Sequence, residues 1–542
     1  MKELWILVCF VSTSHGLSCT GLSPPVWPKA YSVRGNISVP MAEVEEPFMA
    51  FYDETSGNSR IDYWGGNFKS YQSSAQPFGF LRRVTYFVKE SLLYQLCVQR
   101  NGTAAESVEP QTVLPDLSMY TCADVNEKDG IQTQKWSYFK TNYISTTKLT
   151  MWLSMELISG ASVPSPLRFE IKEFDGILGS VTDHYFLIYD LFSSEPPPAH
   201  VWKLDSLVTC SNFRNERVKE MSRFNPIREY ILNSDDYVNE AWEIHLRMYN
   251  KTYHGLEQLI RRQIFKQNRR FVFSRNRRLN EYKLKVNRFA DWSQQELDSL
   301  RGRKFLPGGN NASVFPEELM YKDIPTHLDW RKRGFDVPVK DQGMCGNGWA
   351  FASAGVLEGA NFIRTGTSVD MSVQALMDCT WNYGNEGCDG GDDFRTFQWV
   401  KHSGGLPASD SYEPYKRDEG YCRLEHTVLY GRIKGYLNVL PNDSTALREA
   451  LFHNGPISVP VHSSLKSFIF YSSRVYSDPA CLSRQEDLDH YALLTGYGSL
   501  NGKDYWIVKN SWSSSWGLDG YILIAVDDNL CGVMTNPTYV IT

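Results

Sequence analysis

The chain has 542 residues, of which 42% are hydrophobic, 13% aromatic and 22% charged, with a formal charge of -6. That length exceeds the roughly 100 to 200 residues of one domain, so two or three compact units are expected. The mild acidity excludes a general attraction to nucleic acid or anionic membrane, and no later stretch reaches the roughly 18 to 20 apolar residues of a membrane span.

The opening MKELWILVCFVSTSHG places Lys2 ahead of an apolar run, Leu4 to Val11, and ends on the small residues Ser14 and Gly16. This is the pattern of a signal peptide over 1–16, and it predicts a secreted or lysosomal protein reached through the secretory pathway. Loss of Cys9 with that segment leaves ten of the 11 cysteines. They divide into Cys19, Cys97, Cys122 and Cys210, then Cys345, Cys379, Cys388, Cys422, Cys481 and Cys531. An even number suits complete oxidation, and the first four allow three pairings. Glycosylation sequons at Asn36, Asn101, Asn250, Asn311 and Asn442 fit the same compartment.

Residues 17–205 read as β structure. "YSVRGNISV" alternates, "PFMAFYD" and "RIDYW" are joined by a turn at Ser56-Gly57-Asn58, and "LRFEIKEF" and "HYFLIYDLF" close the region before the break "SSEPPPAH". A β-sandwich or a curled sheet is expected, followed by a linker over 206–233. At Ser234 the texture changes: Ser234-Asp235-Asp236 is an N-cap with an acidic first turn, and Val238, Trp242, Leu246 and Tyr249 share one helical face. A second helix starts near Leu256 and carries a basic crowd of Arg261, Arg262, Lys266, Arg269, Arg270, Arg275, Arg277 and Arg278. That crowd is read as a solvated face, with Arg261 in an internal ion pair, in preference to a polyanion site. The helical segment spans 234–300, a linker 301–322 includes "RKFLPGGNNASVFPEEL", and a last domain occupies 323–542.

Glu257, Arg261, Phe265, Asn268, Val272 and Asn276 stand at the offsets E-x3-R-x3-F-x2-N-x3-I-x3-N, with Val272 in the Ile place. This resembles the inhibitory prosegment of cathepsin L-like proteases. "KVNRFAD" resembles the second prosegment motif at Asn287, Phe289 and Asp291 and departs at Lys285, and "IPTHLDWRKRGFDVPVKDQG" looks like the mature amino terminus of papain-like enzymes. The resemblance covers residues 235–542. The region before it looks like the β-rich extension ahead of the prosegment in a subgroup of secreted papain-like proteinases, and distantly like ependymin-type β domains.

The resemblance implies an α+β multidomain chain: a β-rich N-terminal domain, a helical prosegment lying in the cleft, and a two-lobe domain with one helical and one β-barrel-like lobe. It implies the pairings Cys345–Cys388, Cys379–Cys422 and Cys481–Cys531. Gln342 matches the oxyanion donor, His490 the catalytic base, Asn510 the residue orienting it, and Trp512 the ring shielding their hydrogen bond. Gly390, Gly391 and Asp489 match the substrate-binding cleft, with Asp392 and Asp393 where the second-subsite wall is usually apolar. An acidic wall would favour a basic or polar side chain, whereas a solvent-facing acidic loop would favour none. No cofactor or metal is implied.

One position breaks the pattern. In "DQGMCGNGWAFASAG" the nucleophilic cysteine before Trp349 is replaced by Gly348, and Asn347 cannot act as a thiol. Ser513, Arg474 and Val475 depart from Gly, Gly and Ile. A papain-like homologue without activity, acting as a peptide-binding or regulatory pseudoprotease, is the first expectation. If Gly348 were an error or an engineered change, the same residues would describe an active cysteine endopeptidase. A third class places the function in the β-rich domain, as a ligand-binding or interaction module.

Overall fold

The computed structural model describes residues 19–542 apart from 76, 90–91, 145–146, 160–162, 177–178, 205–207, 213–224, 233–235, 279–281, 305–311, 315–323 and 336. The expected signal, the cap at Ser234-Asp235 and the sequon Asn311 lie outside the described residues. Two compact units form, Met1–Tyr86 with Gln95–Lys251 and Phe87–Tyr94 with Thr252–Thr542.

In the first unit the alternating runs become strands β1 (Ala30–Val39), β2 (Val44–Asp53), β3 (Asn58–Tyr63), β4 (Phe68–Ser73), β5 (Phe80–Lys89), β6 (Leu92–Asn101), β7 (Thr121–Lys128), β8 (Ile131–Ile144), β9 (Thr147–Ser159), β10 (Ser165–Asp175), β11 (Val181–Ser193) and β12 (Cys210–Asn212). Gly57, at φ 66°, makes the expected turn between β2 and β3. The strands form one 12-stranded sheet in the order β12-β6-β5-β4-β3-β2-β1-β11-β10-β9-β8-β7. Of the two expected arrangements, one continuous sheet fits the curled sheet and not a sandwich of two separate sheets. Its alternation buries one face of the central strands, where Val33, Ile37, Phe48, Ile61, Trp136, Phe169 and Leu187 share one core.

Tyrosine hydroxyls fasten flanking segments to that face. Tyr189 donates to the Val113 carbonyl at 2.8 Å, Tyr185 to the Tyr230 carbonyl at 3.0 Å, and Tyr63 to Asn225 Oδ1 at 3.1 Å. Ile227 and Tyr230 belong to a short helix α1 (Ile227–Leu232) and are buried in the core. The expected linker 206–233 thus contributes a strand and a core helix, because its apolar residues have a sheet face to cover. The open pairing resolves as Cys19–Cys122 and Cys97–Cys210, the latter joining β12 to β6. Helix α2 (Asp236–Met248) follows, with Val238 and Trp242 buried as their spacing predicts.

The second unit begins with α3 (Gly255–Arg277) and the short α4 (Gln294–Asp298). Each signature residue has a physical task here. Arg261 forms a bidentate pair with Glu296 (2.6 and 2.7 Å) and touches Glu257 one turn away (3.2 Å). Asn268 donates to the Ala290 carbonyl at 2.9 Å, and Asn276 both donates to the Leu284 carbonyl and accepts from its N–H. Phe265 and Val272 are buried. The solvated basic face is corrected, since Arg262, Lys266, Arg269 and Arg270 are all buried; charge alone does not decide exposure for residues whose long stems cover apolar surface.

The remainder combines helices α5 (Gly348–Thr365), α6 (Val373–Cys379), α7 (Asp393–Ser403) and α8 (Ser444–Asn454) with strands β13 (Gly435–Asn438), β14 (Ile457–Val461), β15 (His490–Leu500), β16 (Lys503–Lys509), β17 (Tyr521–Ala525) and β18 (Thr538–Ile541). These strands run β13-β18-β14-β15-β16-β17, each antiparallel to the next, and α5 packs against β15. The three bridges are Cys345–Cys388, Cys379–Cys422 and Cys481–Cys531, as the resemblance implies.

Candidate active site

The site lies between the start of α5 and the start of β15. Gly348 is the first residue of α5 and His490 the first of β15, so the fold brings together two positions 142 apart (490 minus 348). The backbone N–H of Ser511 donates to Asn510 Oδ1 at 2.8 Å, which fixes that atom as an acceptor. His490 Nε2, 2.9 Å from the same oxygen, must then carry its proton. Burial holds the imidazole below its ordinary pKa, against the Asn510 hydrogen bond, so the ring is neutral near pH 7 with a bare Nδ1. Nδ1 is buried without a hydrogen-bond partner among the described residues.

That nitrogen faces Gly348. A Cβ built there would lie 2.6 Å from Nδ1 and against Cε1, so the imidazole occupies space that a side chain at 348 would need. Trp512 lies over the imidazole with ring centroids 5.2 Å apart, and also packs edge-on against Phe289, Phe468 and Trp516. The polar pair is thereby packed beneath aromatic rings.

Gln342 is fully buried. Its Nε2 donates to the Leu300 carbonyl at 2.8 Å and the Cys345 carbonyl at 2.7 Å, while Ser511 Oγ donates to its Oε1 at 2.6 Å. The amide suited to an oxyanion thus holds a main-chain carbonyl of residue 300. Cys345 offers no thiol, being bonded to Cys388.

Residues 300–304 run through the cleft. The Gly391 N–H donates to the Gly302 carbonyl at 2.8 Å, and the Arg303 N–H to the Asp489 carbonyl at 3.1 Å on the opposite wall. Gly391 has no room for a Cβ, which would meet Asn385 Oδ1 at 2.6 Å and the Trp349 ring at 2.8 Å. Arg303 and Gly391 form a parallel bridge. The segment 301–304, expected as linker, instead pairs with both walls. Asn287 anchors the preceding stretch by donating to the Ile469 carbonyl at 2.7 Å.

Asp392 and Asp393 are 3% and 1% exposed, which overturns the solvent-facing alternative. Asp392 Oδ1 accepts from the Tyr491 hydroxyl at 2.9 Å. Burial raises the pKa of Asp392, and pushes Asp393 up to about 7 with the Asp392 charge adding to it. The departures Arg474 and Ser513 sit at φ 68° and 73°, in the left-handed region where glycine is at ease. Sequence reasoning missed Tyr491, Ser511, Leu300 and Arg303. Ser511 and Tyr491 adjoin matched residues, but their roles depend on which way each side chain points. Leu300 and Arg303 fall at the boundary where the motif ended.

Two family models match the chain: the "Cathepsin propeptide inhibitor domain" over residues 242–297 and the "Papain family cysteine protease" over 324–541. A cathepsin L-like peptidase of Aedes aegypti is 39% identical over 319 residues, 56% of this chain and 93% of the relative. Procathepsin L of Mus musculus is 37% identical over 318 residues, 56% and 92% of the two chains. Among solved structures, digestive procathepsin L 3 from Tenebrio molitor larval midgut aligns with TM-score 0.51 at 32% identity, covering 56% of this chain and 99% of that one.

Proposed function

This chain belongs to the papain family of cysteine proteases, its prosegment and last domain being cathepsin L-like, and from that premise we propose that it is a pseudoprotease: a peptide-shaped cleft that holds its own prosegment and carries out no hydrolysis. One observation carries this reading. The helix start that should present a thiol to His490 Nδ1 presents Gly348.

Hydrolysis by this family of sites needs a thiolate to attack the carbonyl carbon, a base to accept and return its proton, and donors for the oxyanion. The His490–Asn510 hydrogen bond and the buried Gln342 amide support assigning them the second and third tasks. Glycine supplies nothing for the first, and in comparable triads loss of the nucleophile alone lowers turnover by about 10⁶. Neighbouring sulfur cannot substitute, because each of the ten described cysteines of the chain is in a disulfide. The same complete oxidation supports a secretory route. Among the described residues no helix is long and apolar enough to cross a membrane.

Without a nucleophile the chain cannot release its own prosegment. Purified protein incubated in acid is expected to keep its full length on a denaturing gel, with the 234–304 segment attached. Appearance of a mature species in the absence of any other protease would sink the proposal.

A further inference from the structure

The prosegment crosses the cleft as "LRGRK", residues 300–304, with three basic side chains. Arg301 Nε lies 3.8 Å from Asp489 Oδ2, and Lys304 pairs with Glu386. Arg303 lies between them in the sequence. Its Nη1 donates to the Gln485 carbonyl at 2.6 Å and the Leu488 carbonyl at 3.0 Å, and its guanidinium stands 5.7 Å from the centre of the Tyr491 ring. Its positive charge acts on both Asp392 and Asp393.

Those carboxylates are otherwise poorly served. Asp392 Oδ2 is buried without a hydrogen-bond partner among the described residues, and Arg395 reaches Asp392 only at 3.7 Å. Burying two adjacent carboxyls costs several kcal/mol unless cationic partners offset it. The wall therefore destabilises an empty or apolar-filled pocket and favours a guanidinium. Backbone carbonyls at the pocket mouth reinforce the choice, since a planar fork of donors can satisfy them and a hydrocarbon cannot.

We infer that the cleft is selective for arginine: Asp392 and Asp393, with the carbonyls of Gln485 and Leu488, form a pocket for the guanidinium of an extended basic segment, and Arg303 is its built-in occupant. A partner in trans would present the same chemistry, an arginine in extended chain flanked by a small residue and a second cation. The inference rests on the reading of the cleft as a peptide holder.

The test uses the full chain bearing Arg303→Leu at pH 8. Hydrogen exchange at the Gly391 amide, which the segment protects, reports whether the prosegment still occupies the cleft. Anisotropy of two labelled peptides, Leu-Arg-Gly-Arg-Lys and Leu-Arg-Gly-Leu-Lys, then reports selectivity without altering the pocket. Faster exchange at Gly391 and at least tenfold tighter binding of the arginine peptide are expected, with the preference lost on adding Asp392→Asn and Asp393→Asn. Equal binding of the two peptides, or unchanged Gly391 protection in Arg303→Leu, would overturn the inference while leaving the peptide cleft intact. An emptied cleft that binds neither peptide would overturn the peptide-holder reading, and this inference with it.

Discussion

The strand wall and the helical wall of the cleft differ in what they retain. On the strand wall His490, Asn510 and Trp512 all match the family pattern and all are buried in contact with one another. On the helical wall Gln342 and Gly391 match, while Gly348, Asp392 and Asp393 depart. The difference has a physical source. Trp512 and Asn510 close an aromatic cluster and satisfy a backbone N–H, so losing them would cost the fold. A thiol at the first turn of α5 would hold nothing together, so Gly348 in its place costs the packing little. Arg474 and Ser513 are departures on the strand side, but they alter backbone ease and not the reacting groups.

The comparison breaks most readily at Trp512. Trp512→Ala should lower stability by about 3 to 5 kcal/mol, because a fully buried indole leaves a cavity among Phe289, Phe468 and Trp516. Thermal unfolding checks this, and a change below about 1 kcal/mol would show that the strand wall is retained for some reason other than packing.

On the helical wall the next largest effect depends on pH. Asp393 has its pKa pushed from 3.8 to about 7 by burial, so the folded state binds its proton more tightly than the unfolded chain. Its stability contribution is complete below the unfolded value and is lost as pH rises through about 7, with a slope approaching about 1.4 kcal/mol per pH unit in between. Asp393→Asn keeps an acceptor for the Phe394 N–H and removes the charge. The melting temperature of the variant relative to the parent should therefore rise from pH 5 to pH 8. A constant difference would contradict the burial of this carboxyl as the source of its raised pKa.

The smallest expected effect is at Gly348 itself. Gly348→Ala introduces the Cβ that His490 crowds, so the ring must shift and stability should fall by about 1 to 2 kcal/mol despite the better helix former. An increase in stability would mean that the imidazole yields freely, and the asymmetry between the walls would be weaker than argued.

Much of this site was legible in the sequence because its residues sit in short motifs with fixed offsets. "DQGMCGNGW", "LDHYALL" and "KNSW" each carry one member of the constellation, and the structure brings them within hydrogen-bond distance. Alternation gave the β character of residues 17–205, but period two cannot say how many sheets form, since either arrangement buries one face. The role of 301–304 was hidden because extended segments lying in a groove have neither period nor cap. The burial of Asp392 and Asp393 was hidden because acidic dipeptides are ordinarily solvated, and only Arg303 and Tyr491, distant in sequence, reveal the pocket.

One absent sulfur atom separates this site from a thiol protease's, and reactivity tests its absence most directly. Purified protein, with the prosegment removed by an added protease that is then inhibited, should show no turnover of fluorogenic dipeptide substrates and no labelling by an epoxide thiol probe. Robust hydrolysis abolished by that probe would contradict the account.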